Sequence, residues 1–468
     1  MTTTPSSAET PPPNEVRGKF ERRAVVSGTL GSAIEYFDFA IYGALSATLF
    51  PTLFFSELGS TGGLVASFAT FGVGFFARPL GALAFGHYGD RYGRLPALYV
   101  SITLMGLCSA IIGLLPTGQG AGIAALLVGL RFIQGFSLGG ETSGNQLMVM
   151  EHGRQNRRGL LASFVVLGSP LSQVLANMTL LLLTSVLTTA QWESWGWRIP
   201  FIASLAIVAV ALYMRLKLEE TPAFVAQQAK KRRADNGDAE VRRGGLQVLR
   251  KYPLEIVRLA IILGGPAASF YLVAVFGLHM LTDNYGFSSN STFAIIMLAN
   301  CISIPACLFG GWISDRSGRK RPFLVGLVTN LLGVLLFFVF APGSNLVFVT
   351  AAAALALCSV QYLSAIYPAL MAEQFPTDMR YSGSALSFAF CNLFFSAPAP
   401  IVAALLDANF GPTSVMITAL ALIGLSLVVA FTVRERSHVD LVSFVGVADE
   451  AEQEAVEQRA SVEQLDPK

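Results

Sequence analysis

The sequence predicts an all-α integral membrane fold of twelve transmembrane helices in two six-helix halves. Three observations carry this. The 468-residue chain is 53% hydrophobic, with a mean hydropathy of +0.57, and only 13% charged; a soluble domain is about 25% charged. Its apolar residues fall into twelve runs, each near the roughly 20 residues that a helix needs to cross a bilayer. A short charged loop also occurs twice, each copy closing an apolar run: GHYGDRYGR at Gly86–Arg94 and GWISDRSGRK at Gly311–Lys320. Asp90 and Asp315 are 225 residues apart, close to half the chain, which points to a duplication.

Taken in order, the chain opens on a Thr-, Ser- and Pro-rich stretch, Met1 to Glu15, without an apolar core. Residues 1–23 therefore read as a disordered tail and not as a cleaved signal peptide. Spans are expected near 24–50, 62–86, 95–115, 121–150, 158–186, 198–216, 255–282, 290–314, 322–341, 345–371, 381–406 and 413–433. Residues 24–216 make the first half and 255–433 the second. The linker between them, 217–254, contains KKRR at Lys230–Arg233 and reads as a solvated segment held near anionic lipid. No fold that binds nucleic acid is attached to it. Residues 434–468 form an acidic tail. The five cysteines, Cys108, Cys301, Cys307, Cys358 and Cys391, lack metal-ligand or disulfide spacing and read as small packing residues.

The loops set the orientation. Of 32 Lys and Arg, all but Arg78, Arg131 and Arg198 fall on the side of the N-terminus, while PTGQGAG and APGSN on the other side carry none. The positive-inside rule then places both termini in the cytoplasm. Trp192, Trp195 and Trp197 are expected at the outer interface.

In the repeated loop, Gly89 and Gly93 permit a tight reversal. Asp90 can accept from a helix N-terminus or pair with an arginine, and Arg91 and Arg94 end the apolar run with positive charge. A second repeat lies 222 residues apart: EHGRQNRRG from Glu151 and EQFPTDMRYSG from Glu373. Two candidate cytoplasmic gates follow. One holds Asp90, Arg91 and Arg94 with Glu151, Arg158 and the start of the eleventh span. Its mirror holds Asp315, Arg316 and Arg319 with Glu373 and Arg380.

Ionisable groups inside spans cost at least about 2.5 kcal/mol at the helix centre, so each is a functional candidate. Glu35 and Asp38 are three apart in the first span and share a face, with Tyr42 one turn on. Arg78 lies in the second span, and Arg131 and Glu141 in the fourth; Asp38 and Arg131 come to similar depths near mid-membrane. Asp38, Glu35 and Glu141 are the candidate proton carriers. Arg131 is the first candidate for a substrate carboxylate and Arg78 a second. The second half has no mid-span charge. Its polar candidates are Asn300, Gln361, Tyr362, Tyr367 and Asn392, matched in the first half by Gln134, Gln173 and Asn177. Chemistry of other classes is missing: the sequence has no His-x-x-His-type ligand set and no P-loop. An enzyme or a nucleotide-driven pump is therefore not expected, and neither is a cofactor.

The stretches EYFDFAIYG, RPLGALAFGHYGDRYGR, RFIQGFSLGGE, WGWRIPF and FPTDMRYSG resemble the metabolite:proton symporter family of the major facilitator superfamily. FATFGVGFFARPLGALAFGHYGD is most similar to the shikimate permease branch, and the chain as a whole resembles the shikimate and α-ketoglutarate permease group. The resemblance spans nearly all of residues 24–434. It implies the major facilitator fold, two pseudo-symmetric six-helix bundles, in a bacterial inner membrane. It also implies uptake of a small organic acid driven by the proton gradient, with Asp38 and Arg131 as an acid–arginine pair. Tyr36 stands where many members have tryptophan, which leaves the solute open between a shikimate-like acid, a dicarboxylate and a zwitterionic osmolyte. Proton-driven efflux is the other direction to test. The expected partners are the solute, protons and the lipid bilayer, with the chain acting as a monomer and binding no nucleic acid.

Overall fold

A computed structural model of the protein describes residues 14–92, 94–118, 120–139, 157–216, 248–343, 345–376 and 379–437. Among the described residues there is no strand, and twelve long helical segments account for most of the chain. They are α1 (Asn14–Thr48), α2 (Gly59–Tyr92), α3 (Arg94–Leu114), α4 (Ala121–Ser137), α5 (Arg158–Val186) and α6 (Arg198–Leu216) in the first half. The second half has α7 (Pro253–Asn284), α8 (Ser289–Ser317), α9 (Lys320–Phe340), α10 (Leu346–Ala372), α11 (380–410) and α12 (Pro412–Ala430). Eight of these helices are long and apolar enough to cross a membrane, and parts of α3 and α4 are apolar but shorter. The expected continuation of α4 to residue 150 lies outside the described residues.

The packing repeats between the halves. In the first half α2 packs on α4, α1 on α5 and α3 on α6; in the second, α8 packs on α10, α7 on α11 and α9 on α12. The halves meet through α5 against α8 and, by the same relation, α2 against α11. Each helix thus has a counterpart six positions on, in the same surroundings.

The charged loops are mostly helical, contrary to the tight turn expected from their glycines. α2 runs through Gly89 to Tyr92, and α8 runs through Asp315 to Ser317. The second-half turn is confined to Gly318, whose φ of 82° lies in the left-handed region that glycine adopts without strain. Helix propagation adds a hydrogen bond per residue, so the chain stays helical until a residue stops it. The N-terminus differs as well. α1 starts at Asn14, directly after Pro11–Pro13, so residues 14–23 are helical although they read as part of the tail.

Trp197 is another difference. It is fully buried and packs edge-on to Phe50, Phe54 and Phe201, so it belongs to the core and not to an interfacial belt. Trp195 is exposed. Two five-residue π turns interrupt α7, Leu272–Phe276 and Met280–Asn284, and one interrupts α11, Asn392–Ser396.

Candidate functional site

A cavity lies between the two halves. Its wall includes Ser32 and Tyr36 of α1, Arg78 of α2, Tyr271 of α7, Gln361 of α10 and Asn392 of α11. Contacts between the halves flank it on both sides: Asp315 reaches α5 at the end near the N-terminus, and Asn290 donates to Ser185 at the other.

Arg78 is the cation on this wall. Its Nη2 lies 3.5 Å from Glu35 Oε1, and its guanidinium carbon sits 4.4 Å from the centre of the Phe39 ring. Its Nε is buried without a hydrogen-bond partner. Asp38 and Arg131 form a second pair behind the wall, with Arg131 Nη1 3.7 Å from Asp38 Oδ2 and both residues almost fully buried. Ser109 of α3 donates to Asp38 Oδ1 at 2.6 Å. Gln134 accepts from Arg131 at 2.5 Å and donates to Asp38 Oδ2. The Arg131 guanidinium lies over Phe39 at 4.0 Å and over Tyr42 at 4.1 Å. Phe39 therefore contacts both arginines, and a desolvated cation–π contact of this kind stabilises by about 2 kcal/mol. Neither Phe39 nor Ser109 stood out in the sequence, because one aromatic and one serine in an apolar span carry no signal.

Close backbone approach sets this geometry. A Cβ on Gly135 would overlap the carbonyl of Gly74, and one on Gly81 would overlap the carbonyl of Phe136. α2 and α4 thus touch backbone to backbone. Arg131 lies one turn before Gly135, and Arg78 lies one turn after Gly74, so the glycine contact positions both arginines around Phe39.

The other expected site residues scatter. Gln361, Tyr367 and Asn392 are on the wall, and Gln361 Nε2 lies 3.5 Å from Ser169 Oγ across the halves. Arg131, expected to meet the solute first, is 0% exposed and off the wall, whereas Arg78, the second candidate, lines it. Tyr42 is buried and donates to Thr70, and Gln134 belongs to the Asp38 network. Asn177 and Asn300 turn back to the carbonyls of Gln173 and Ile296 in their own helices, and Gln173 accepts from Asn177 at 3.4 Å. Tyr362 faces Phe309. Glu141 lies outside the described residues.

At the end near the N-terminus, most of the residues expected to form the second-half gate come together. Asp315 accepts from the backbone amides of Gly159 and Leu160, each at 2.8 Å, in the first turn of α5. A carboxylate there gains from the unpaired amides and the helix dipole. Arg319 reaches Asp315 at 2.8 Å and Glu373 at 3.1 Å, and Arg380 donates to the Ala372 carbonyl. Arg158 is buried at the start of α5. Arg316 is not part of this set, since it lies 4.1 Å over the Trp312 ring. Glu435 takes a place that the sequence did not suggest: its carboxylate accepts from the backbone amides of Arg319 and Lys320 at the start of α9. Burial works against its ionisation, but these amides outweigh it and hold the carboxyl below its usual range. Of the first-half gate, the side chains of Asp90, Arg91 and Arg94 and the whole of Glu151 lie outside the described residues.

The Major Facilitator Superfamily profile matches residues 29–397. The chain belongs to this superfamily. The transporter is 34% identical over 433 residues to the inner membrane metabolite transport protein YhjE of Escherichia coli (strain K12), covering 90% of this chain and 95% of that protein. It is 32% identical to the shikimate transporter of the same organism, covering 83% and 88% of the two chains. It is also 32% identical to that organism's proline/betaine transporter, over 78% and 74%. A solved D-xylose-proton symporter superposes with a TM-score of 0.70 at 16% identity, covering 90% of this chain and 99% of that one, a likeness of fold alone. The transporter is a multi-pass membrane protein that moves small solutes and is not an enzyme.

Proposed function

We propose that the transporter is a symporter that brings a small organic acid into the cell together with protons. The observation that carries this reading is Arg78 on the cavity wall, loosely paired with Glu35, in front of a second buried pair, Asp38–Arg131. The four described charges cancel. A solute anion entering this region adds a charge that low-dielectric surroundings penalise, so a proton must enter with it. Asp38 is the main proton carrier, with Glu35 second; Arg78 holds the carboxylate, and Arg131 holds Asp38 in place. Loaded with both, the site is neutral again and the halves can rock around it, exposing it to one side and then the other. The test is accumulation of a labelled organic acid in vesicles under an imposed pH gradient, inside alkaline. Accumulation driven by the opposite gradient would show efflux instead.

By the positive-inside rule both termini and the linker 217–254 are expected inside. Cysteines introduced at Gly118 and Ser344 are expected to react with an impermeant thiol reagent from outside, and one at Asp238 only after permeabilisation. The reverse pattern would invert the topology and with it the assignment of the gate to the cytoplasm.

The gate is expected to respond to pH. Burial pushes the Glu373 carboxyl up from 4.5 to about 7, against the pull of Arg319 and with a further push from Glu435. The closed arrangement therefore binds a proton more readily than one that lets water reach Glu373. The stability this contributes is fully present below the ordinary value of 4.5 and is lost as pH rises through about 7. Opening on this side thus becomes easier as the cytoplasmic pH rises. Ala162 and Ala369 pack together across the halves beside Glu373, and both are buried. A cysteine at Ala369 should label several-fold faster at about pH 8 than at about pH 6, beyond the change seen for an exposed thiol. Glu373→Gln should flatten that difference; a profile identical to that of the parent would remove Glu373 from the gate.

A further inference from the structure

We propose that the central site selects acids with a single carboxylate and reads the rest of the molecule through its hydroxyl groups, so that dicarboxylates are excluded. The inference rests on the organic-acid reading and narrows it. It starts from the division of chemistry between the halves. The first half contributes Arg78, the sole cation among the described lining residues. The second half contributes neutral polar groups: Gln361, Ser364, Asn392 and Ser396.

Three atoms on this wall are poised for a ligand. Arg78 Nε, Ser32 Oγ and Ser396 Oγ, the last on a residue with 0% exposure, are each buried without a hydrogen-bond partner. Buried polar atoms are rarely left unmet, so each gains from a ligand group that meets it. A carboxylate suits the guanidinium, whose fork matches its two oxygens. Ser396, Ser364 and the amides suit hydroxyl groups, which donate and accept at one atom.

A second carboxylate finds no cation. Arg131 does not line the cavity; it is fully buried, overlaid on Phe39 and Tyr42 and bonded to Gln134. An unbalanced charge at this depth would face neutral dipoles alone, which is costly in hydrocarbon surroundings. A zwitterion is disfavoured for the complementary reason. Glu35, the nearest acid, is 2% exposed, lies behind the wall and is already engaged with Arg78, so the wall offers a positive group only the faces of rings such as Tyr36 and Tyr271. A methylated ammonium would also leave the amides and hydroxyls of the second half without partners.

The test is a binding panel on the purified, full-length transporter, followed by vesicle uptake with an internal pH dye. The probes are cyclohexanecarboxylate, its 3,4,5-trihydroxy derivative, cyclohexane-1,3-dicarboxylate and glycine betaine. The trihydroxy acid is expected to bind tightest, with cyclohexanecarboxylate at least roughly tenfold weaker and the dicarboxylate weaker again. Gln361→Leu should cut the advantage of the trihydroxy acid over cyclohexanecarboxylate, and an undiminished advantage would overturn the reading of hydroxyl groups by the second half. A dicarboxylate that binds best and enters with protons would overturn this proposal while leaving the organic-acid symporter intact. Tightest binding by glycine betaine would overturn it in favour of an aromatic cage. Failure of every acid to bind would overturn both this proposal and the function on which it rests.

Discussion

Asp38→Asn is expected to abolish uphill, pH-driven accumulation of solute while leaving binding and solute exchange in place. The two halves of this expectation come from different parts of the structure. Asp38 is not on the cavity wall, so its removal takes no group away from the solute. It is, however, the carboxylate on which Arg131, Gln134 and Ser109 converge. Asparagine nearly keeps the shape and can still bond to serine and glutamine, but it cannot alternate between a charged and a neutral state. A transporter fixed in one protonation state at this position binds and exchanges but no longer draws on the gradient. The loss in gradient-driven accumulation should be complete, reducing a concentration ratio to about one, as for a passive exchanger. Arg131→Ala provides the contrast. It leaves Asp38 as an unpaired buried charge, which is costly by roughly 3–5 kcal/mol, so the protein should lose stability as well as coupling. Vesicles with an imposed pH gradient and a labelled acid decide the matter. If Asp38→Asn still concentrates solute against its gradient, the proton travels on another group, and Glu35, bound to Arg78 at the wall, is the next to test.

Gly135→Ala should be more damaging than any exposed charge substitution. The added methyl would overlap the carbonyl oxygen and Cα of Gly74, which are backbone atoms that cannot rotate away. α2 and α4 would have to separate, and overpacking of this kind costs typically 1–3 kcal/mol even where side chains can adjust. Because the contact lies one turn from both Arg78 and Arg131, separation would also pull the two arginines off Phe39. The expected result is a clear drop in melting temperature in detergent together with loss of uptake. Gly129→Ala on the same helix is the control, since a Cβ there meets nothing within 4 Å and glycine is the poorer helix former. Equal melting temperatures for the two variants would mean that α2 and α4 do not pack as described.

Much of this architecture was legible because charge is conspicuous in an apolar chain. Asp90 and Asp315, 225 residues apart, marked the duplication, and Glu35, Asp38, Arg78 and Arg131 stood out because each is expensive where it sits. The spacing of Glu35 and Asp38 placed them on one face of α1. The pairing of Asp38 with Arg131 followed from their common depth and the family resemblance, but that Glu35 would meet Arg78 was beyond reach, because the rotation of α2 and α4 about their axes is decided by glycine contacts between them. That is why Arg131 reads as the solute contact in the sequence and lies behind the wall in the fold. Asn177 and Asn300 misled for a different reason: an amide inside a helix can satisfy itself on the preceding turn without lining anything. Glu435 was missed because an acid after the last span has no distinguishing neighbour in sequence, and its partners, the amides of Arg319 and Lys320, exist only once α9 has formed.

The π turns bear on how far the two halves are interchangeable. A π turn holds one residue more than an α turn, and one residue turns the remainder of a helix by about 100°. α7 carries two such turns and α11 one, whereas their counterparts α1 and α5 carry none among the described residues. Residues at matching ordinal positions beyond these points therefore differ in azimuth: the two copies follow one path with their faces dialled apart. Tyr271 sits immediately before the first extra residue of α7, and Asn392 opens the one in α11. Excising a single codon from 272–276 would leave Tyr271 on the cavity wall yet swing every later side chain of α7 toward a new neighbour.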